Sequence, residues 1–143
     1  NISFDKLLGN TLKNMEIPKN VEIISTNTEQ IIQCDSDKLQ VVLMNMITNS
    51  IQELDDGGKI FINSSVSEHE NVIQISDTGR GIPVENLTKL FDSLFTTKSS
   101  GTGLGLPYCK SVIEQHGGTI TVSTNPTTFT VYLPHRMIST ESK

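Results

Sequence analysis

Two glycine-rich stretches are the parts of this chain most suited to chemistry: Asp77-Thr78-Gly79-Arg80-Gly81-Ile82 and, downstream of it, Gly101-Thr102-Gly103-Leu104-Gly105-Leu106. Ile73 and Ile75 alternate with Gln74 and Ser76, so 71–76 reads as a strand whose period of two puts Asp77 on the isoleucine face. An inward carboxylate is costly to bury unless it accepts strong hydrogen bonds, and the exocyclic amine of adenine is one suitable donor. Gly79 and Gly81 would let the backbone turn sharply and approach a flat ring closely, which a Cβ prevents. Taken alone, the same residues also make an ordinary turn.

The second cluster opens a helical pattern in which Leu106, Cys109, Val112, Ile113 and His116 share one side, and Pro107 suits a first helical turn. Alternate glycines there leave backbone N–H groups unshielded at a helix N-terminus, where negative charge is favoured, so a phosphate chain is a natural ligand. A flexible loop is the plainer alternative. A third constellation lies upstream. Asn45 and Asn49 stand one helical turn apart and could offer amide oxygens to a hard cation such as Mg2+, whose other ligands would be water and phosphate. Two solvated asparagines on a helix face would look the same.

The elements that must position these groups follow from pattern. Ser3 caps a helix carrying Phe4, Leu7, Leu8, Leu12 and Met15, which Pro18 ends. Residues 21–25 and 31–34 read as a pair of strands. A long helix capped by Asp35 or Ser36 runs to about Leu54, where Asp55-Asp56-Gly57-Gly58 breaks it. Its stripe of Leu39, Leu43, Met46, Ile47, Ser50 and Leu54 is expected to be buried, with Asn45 and Asn49 opposite, beside Lys38 and Gln52. Residues 59–66 and 71–76 form a hairpin with its tip at 67–70, a short helix covers 84–90, and 91–100 is a polar loop between the two glycine clusters. A helix over 106–115, a turn at Gly117-Gly118 and strands over 119–124 and 128–133 complete the order. Such a mixture implies an α+β fold: a two-layer sandwich in which about five strands, mostly antiparallel, are covered on one face by about three helices.

Composition bounds the rest. A chain of 143 residues with 35% hydrophobic content is one domain's worth, with a core of Ile, Leu and Val. A net charge of −5 with scattered Lys and Arg argues against a nucleic-acid surface. Cys34 and Cys109 have no metal-ligand spacing and read as reduced thiols, which suits the cytoplasm. No apolar run approaches the roughly 18 residues of a membrane span. The chain starts at Asn1 in mid-pattern and reads as a piece of a longer protein.

The order of these motifs resembles the ATP-binding catalytic domain of sensor histidine kinases. Residues 39–50 are similar to that family's N box, Asp77 to Ile82 to its G1 box, Leu90 to Lys98 to its F box and lid, and Gly101 to Leu106 to its G2 box; Glu114-Gln115-His116-Gly117-Gly118 and Phe129 to Pro134 match its usual ending. The resemblance covers nearly all of 1–143, with an opening helix over 1–16 and an ATP lid over 91–104. It implies that ATP and Mg2+ are bound and that a γ-phosphoryl group passes to a histidine. Asp77 would hold adenine, with Gly79, Gly81 and Ile82 lining the base. Asn49 and Asn45 would hold Mg2+ and phosphates, Gly101, Thr102, Gly103, Leu104 and Gly105 would wrap the phosphate tail, and Lys98 would meet the γ-phosphate. Thr127 stands where a Gly-Thr pair often precedes the last strand, here as Pro126-Thr127. Implied partners are a dimerisation domain bearing the acceptor histidine and a response regulator. No nucleic acid and no direct membrane contact are implied, and the fragment is expected to be a cytoplasmic monomer.

Glu53 departs from the pattern, since many members carry an aromatic residue there that can stack on adenine. None of the three histidines has an acceptor context: His69 is at a hairpin tip, His116 on an apolar stripe that suits a core position, and His135 in the tail. The fragment is therefore expected to bind ATP without phosphorylating itself. The related clamp ATPases place a glutamate where this chain has Asn45, and an amide cannot act as general base. That ATPase reading, and a nucleotide-gated interaction module without catalysis, are the alternatives.

Overall fold

Side-chain caps start the two helices that carry much of the core. In the computed structural model, which describes residues 1–26, 30–87, 91 and 105–134, the Ser3 hydroxyl accepts the Lys6 N–H at 3.1 Å and the Asp35 carboxylate accepts that of Lys38 at 3.2 Å. Each satisfies a first-turn donor that the helix itself cannot. The chain runs β1 (Ile2–Ser3), α1 (Phe4–Lys13), β2 (Val21–Thr26), β3 (Ile31–Ile32), α2 (Ser36–Gln52), β4 (Gly58–Val66), β5 (Glu70–Asp77), α3 (Val84–Leu87), α4 (Gly105–Gln115), β6 (Thr119–Ser123) and β7 (Thr128–Pro134). The short helix expected over 84–90 is described as far as Leu87; 88–90 lie outside the described residues.

Five strands form one sheet in the order β2-β4-β5-β7-β6, with β2 parallel to β4 and every other pair antiparallel. The fold is thus the mixed, mostly antiparallel α+β sandwich that the pattern implied. Ile60, Ile62, Ile73, Ile75, Phe129, Val131 and Leu133 alternate onto a buried face, while Lys59, Phe61 and Asn63 point to the other side and are exposed. On the buried face α2 packs against β4 and β5, flanked by α1 and α4.

Two expectations are corrected. Residues 21–25 and 31–34 are both extended in part, but they do not pair with each other. β2 lies parallel to β4, which requires a crossover connection, and α2 supplies it. β3 is only two residues long and pairs with β1, setting Ile2 opposite Ile32. Strand propensity gives extension without naming the partner; here the burial of Ile32 opposite Ile2, with the Phe4 N–H donating to the Gln30 carbonyl, decides it.

The second correction concerns α2. Its buried set includes Val42 as well as Leu39, Leu43, Met46, Ile47 and Ser50, because α4 covers one flank while the sheet lies beneath. Asn45 and Asn49 are therefore half-buried on the α4 flank and do not lie opposite the stripe. Full burial is worth about 1.5–3 kcal/mol per large apolar side chain. The stripe therefore sets the rotation of the helix, and the two amides stand where it leaves them.

Two contacts tie α4 to α2 in an antiparallel sense. The Cys109 thiol lies 3.7 Å from the Val42 carbonyl. His116 is half-buried, where a core position was expected. Its Nε2 accepts the Asp35 N–H at 3.0 Å and its Nδ1 lies 2.8 Å from the Val112 carbonyl, an arrangement that suits the neutral ring with its proton on Nδ1. His69 is exposed beside Glu68 at the β4–β5 tip, as expected; His135 lies outside the described residues.

Burial pushes the Cys109 thiol from 9.0 up to about 12, so the thiolate that reacts with disulfide reagents is scarce in the folded protein. Cys109 is expected to react only as fast as the domain unfolds at neutral pH. Because the folded value lies above the unfolded one, the contribution of the neutral thiol is complete below about pH 9 and is lost as pH rises toward 12. Rapid labelling of Cys109 in the native state would contradict this. The half-buried Cys34 is also raised, chiefly by desolvation.

Candidate functional site

β5 ends on Asp77, and the alternation that buries Ile73 and Ile75 carries Asp77 to the same side, where it is 2% exposed. The Gly79 N–H donates to Asp77 Oδ1 at 2.9 Å, folding the following loop back over the carboxylate. A carboxyl acceptor at a strand end, closed over by glycine backbone, suits a donor-bearing planar ligand.

The glycines in this loop are constrained from two sides. A Cβ on Gly79 would stand 2.7 Å from the Glu53 carbonyl oxygen and 2.9 Å from Asp77 Oδ1, so the C-terminal cap of α2 presses directly on the loop. Gly81 has a φ of +89°, and its Cβ would stand 2.9 Å from Thr124 Oγ1. Glu53, where an aromatic was missing from the pattern, thus contributes backbone packing to the site. Its neighbour Asp55 makes an exposed 3.7 Å ion pair with Arg80, of the kind worth about 0–1 kcal/mol.

Thr127 is 1% exposed, and its Oγ1 is buried with no hydrogen-bond partner among the described residues. That oxygen would be 3.9 Å from a Gly81 Cβ. An unmet buried hydroxyl costs about 1–3 kcal/mol, so its position beside the loop favours a ligand group or water that completes it. Ser50 Oγ is in the same condition, on the last turn of α2. Periodicity puts Ser50 on the buried stripe and gives it no role; a hydroxyl in an otherwise apolar stripe is the signal that could have singled it out.

Gly105 begins α4, and a Cβ there would lie 3.0 Å from Asn45 Oδ1. The other end of that amide is committed, since Asn45 Nδ2 donates to the Val41 carbonyl at 3.1 Å. The amide oxygen therefore faces the N-terminus of α4. Asn49 stands one turn further along the same flank, half-buried. The structure thus brings Asn45 to Gly105, and Glu53 at the end of α2 to the loop holding Asp77, Gly79, Gly81 and Ile82. Lys98, Gly101, Thr102, Gly103 and Leu104 lie outside the described residues. Phe91, at the start of that stretch, packs edge-on to Phe129 with ring centroids 6.5 Å apart.

Residues 34–137 match the family described as histidine kinase-, DNA gyrase B-, and HSP90-like ATPase. The chain is 42% identical over 106 residues to the sensor histidine kinase ZraS of Escherichia coli strain K12, a match covering 72% of this chain and 23% of ZraS. Among solved structures, the catalytic domain of histidine kinase ThkA superposes with a TM-score of 0.78 at 29% identity, over 91% of this chain and 92% of that one. ThkA in complex with the response regulator TrrA gives a TM-score of 0.78 at 26% identity, over 94% of this chain and 41% of that one. The chain spans about a quarter of the length of the curated relatives it matches.

Proposed function

The chain belongs to the histidine kinase-, DNA gyrase B-, and HSP90-like ATPase family as the catalytic domain of a sensor histidine kinase, and from that premise we propose that it binds Mg-ATP and donates the γ-phosphoryl group to a histidine on a separate dimerisation domain. The observation that carries the reading is the buried Asp77 carboxylate under a glycine loop, with the orphaned Thr127 hydroxyl beside it. In this reading Asp77 accepts the adenine amine, Gly79, Gly81 and Ile82 line the base, and the Thr127 hydroxyl completes the polar edge. Gly105 and the N-terminus of α4 face the phosphates, together with Gly101, Thr102, Gly103, Leu104 and Lys98, whose roles rest on sequence.

Among the described residues no three His, Cys, Asp or Glu side chains converge on a metal position. The donors present are the Asn45 amide oxygen, turned toward Gly105, and the Asn49 amide on the same flank. Neutral oxygens of this kind fit Mg2+, which keeps waters and is commonly shared with phosphates. When bound, the ion neutralises phosphate charge. Asn45 and Asn49 would orient it, and the N-terminus of α4 would meet the anion with first-turn backbone N–H groups. Transfer of a phosphoryl group needs mainly positioning and charge neutralisation, and an amide at position 45 provides no base to activate water. The acceptor would then be a side chain on a partner domain, with a response regulator further along the relay. The reading puts the domain in the cytoplasm, where ATP is. Among the described residues no helix is long and apolar enough to cross a membrane.

Calorimetry with ATP, with and without Mg2+, tests this directly. Saturable binding that tightens with Mg2+ is the expected result. No detectable heat at millimolar nucleotide would overturn the proposal.

A further inference from the structure

One turn holds both ends of the loop over Asp77. The Asp77 N–H donates to the Thr127 carbonyl at 3.2 Å, and the Ile82 N–H donates to Thr124 Oγ1 at 3.0 Å. Both acceptors belong to the four-residue connection between β6 and β7. That connection is braced by the first residue of β7, since the Thr128 hydroxyl donates to the Pro126 carbonyl at 3.1 Å, and Asn125 takes a φ of 65°. It is also anchored on both sides by the antiparallel β6–β7 ladder, which runs as far as Ser123 opposite Thr128.

The Thr124 hydroxyl has two relations to the loop. It accepts the backbone N–H of Ile82, and it forms the wall against which Gly81 closes, 2.9 Å from where a Cβ would stand. Between Asp77 and Ile82 the backbone pairs with β4 at Thr78, whose N–H donates to the Lys59 carbonyl at 3.1 Å, and closes on the end of α2 at Gly79 and on this turn at Gly81. The α2 contact comes from main chain and Cβ of Glu53 and is insensitive to side-chain chemistry beyond Cβ. The turn contact at Gly81 comes from a side-chain oxygen, so it can be removed without changing volume.

We propose that Thr124 is a positioning residue for the nucleotide: its hydroxyl sets the height of Gly81 and Ile82 over Asp77, and with it the gap that receives the base. This rests on the nucleotide reading of the site. Thr124 itself need not touch the ligand; it acts through the Ile82 N–H and through Gly81.

The test compares Thr124→Val, which keeps the shape and removes the acceptor, with Thr124→Ser, which keeps the acceptor. Calorimetry with Mg-ATP should show affinity about fivefold weaker for the valine variant, the loss expected for one neutral hydrogen bond, with the serine variant close to the parent. In the nucleotide-free domain, amide exchange at Ile82 should accelerate in the valine variant and not in the serine variant, while the melting temperatures stay close. A role confined to stabilising the turn would lower the melting temperature and leave affinity at saturating folded protein unchanged. Parental affinity in the valine variant overturns the proposal. So does weak binding in the serine variant, which also decides the matter should the valine variant not fold. Failure of the parent to bind ATP would overturn the nucleotide reading instead. Ile82 exchange would then still show whether Thr124 holds the loop, and unchanged exchange would remove that too.

Discussion

Replacing Asn49 by alanine should abolish phosphoryl transfer to a separately supplied dimerisation domain, lowering the single-turnover rate by at least about a hundredfold, while the domain stays folded. Asn49 stands on the flank of α2, half-buried, and the neighbouring Ile47 and Ser50 hold the helix in place. Truncation at Cβ therefore removes an amide without opening the core. Where catalysis consists of alignment, a reacting group displaced by about 1 Å costs on the order of a hundredfold. The reference for this experiment is the unmodified domain alone, which should leave Mg-ATP intact, because Asn45 cannot take a proton from water and its Nδ2 is already committed to the Val41 carbonyl. Transfer by Asn49→Ala within a few-fold of the parent would remove the magnesium and phosphate role. Fast multiple-turnover phosphate release by the parent alone would favour an ATP-hydrolysing clamp over a kinase.

Asp77→Asn should weaken ATP by about 1.5–3 kcal/mol, on the order of ten- to a hundredfold, with little change in folding. The asparagine Oδ1 can still accept the Gly79 N–H that folds the loop. What changes is the ligand side: a charge-assisted acceptor is replaced by a neutral amide, half of which is a donor that cannot pair with an amine. Titration of variant and parent under identical conditions checks this. An unchanged dissociation constant would mean that Asp77 does not face the base.

Much of this site was legible from local pattern, and the remainder was not, for one physical reason. The inward turn of Asp77 follows from a period of two, the start of α2 from Asp35 as a cap, and the hairpin from two alternating runs with a polar tip. These are interactions within a few residues of each other. The flank position of Asn45 depends on α4 lying beside α2. The neutral ring of His116 depends on an N–H from Asp35, and the post under Ile82 is a hydroxyl on Thr124. Those contacts join residues far apart in the chain, and no sequence period records them. The same limit explains β3: two isoleucines announce a strand, but whether its partner is β1 or β2 is settled by what covers Ile32. Ser50 belongs to the predicted stripe without a role, because a helical stripe records where a side chain points and says nothing of whether its hydroxyl is satisfied.

The seam between β5 and β7 has a consequence for the order of folding. β4 with β5 and β6 with β7 are hairpins, each closing a short loop, whereas β5 with β7 joins residues as distant as Ile75 and Phe129. Loop-closure entropy makes that seam the costlier one to zip. Asp77 lies on one side of it and Thr127 on the other, bridged by the Asp77 N–H. A chain with both hairpins formed and the seam open has each half of the proposed base pocket and no pocket. On the proposed reading nucleotide needs that seam closed, so its binding free energy is linked to whatever unfolding opens β5 from β7.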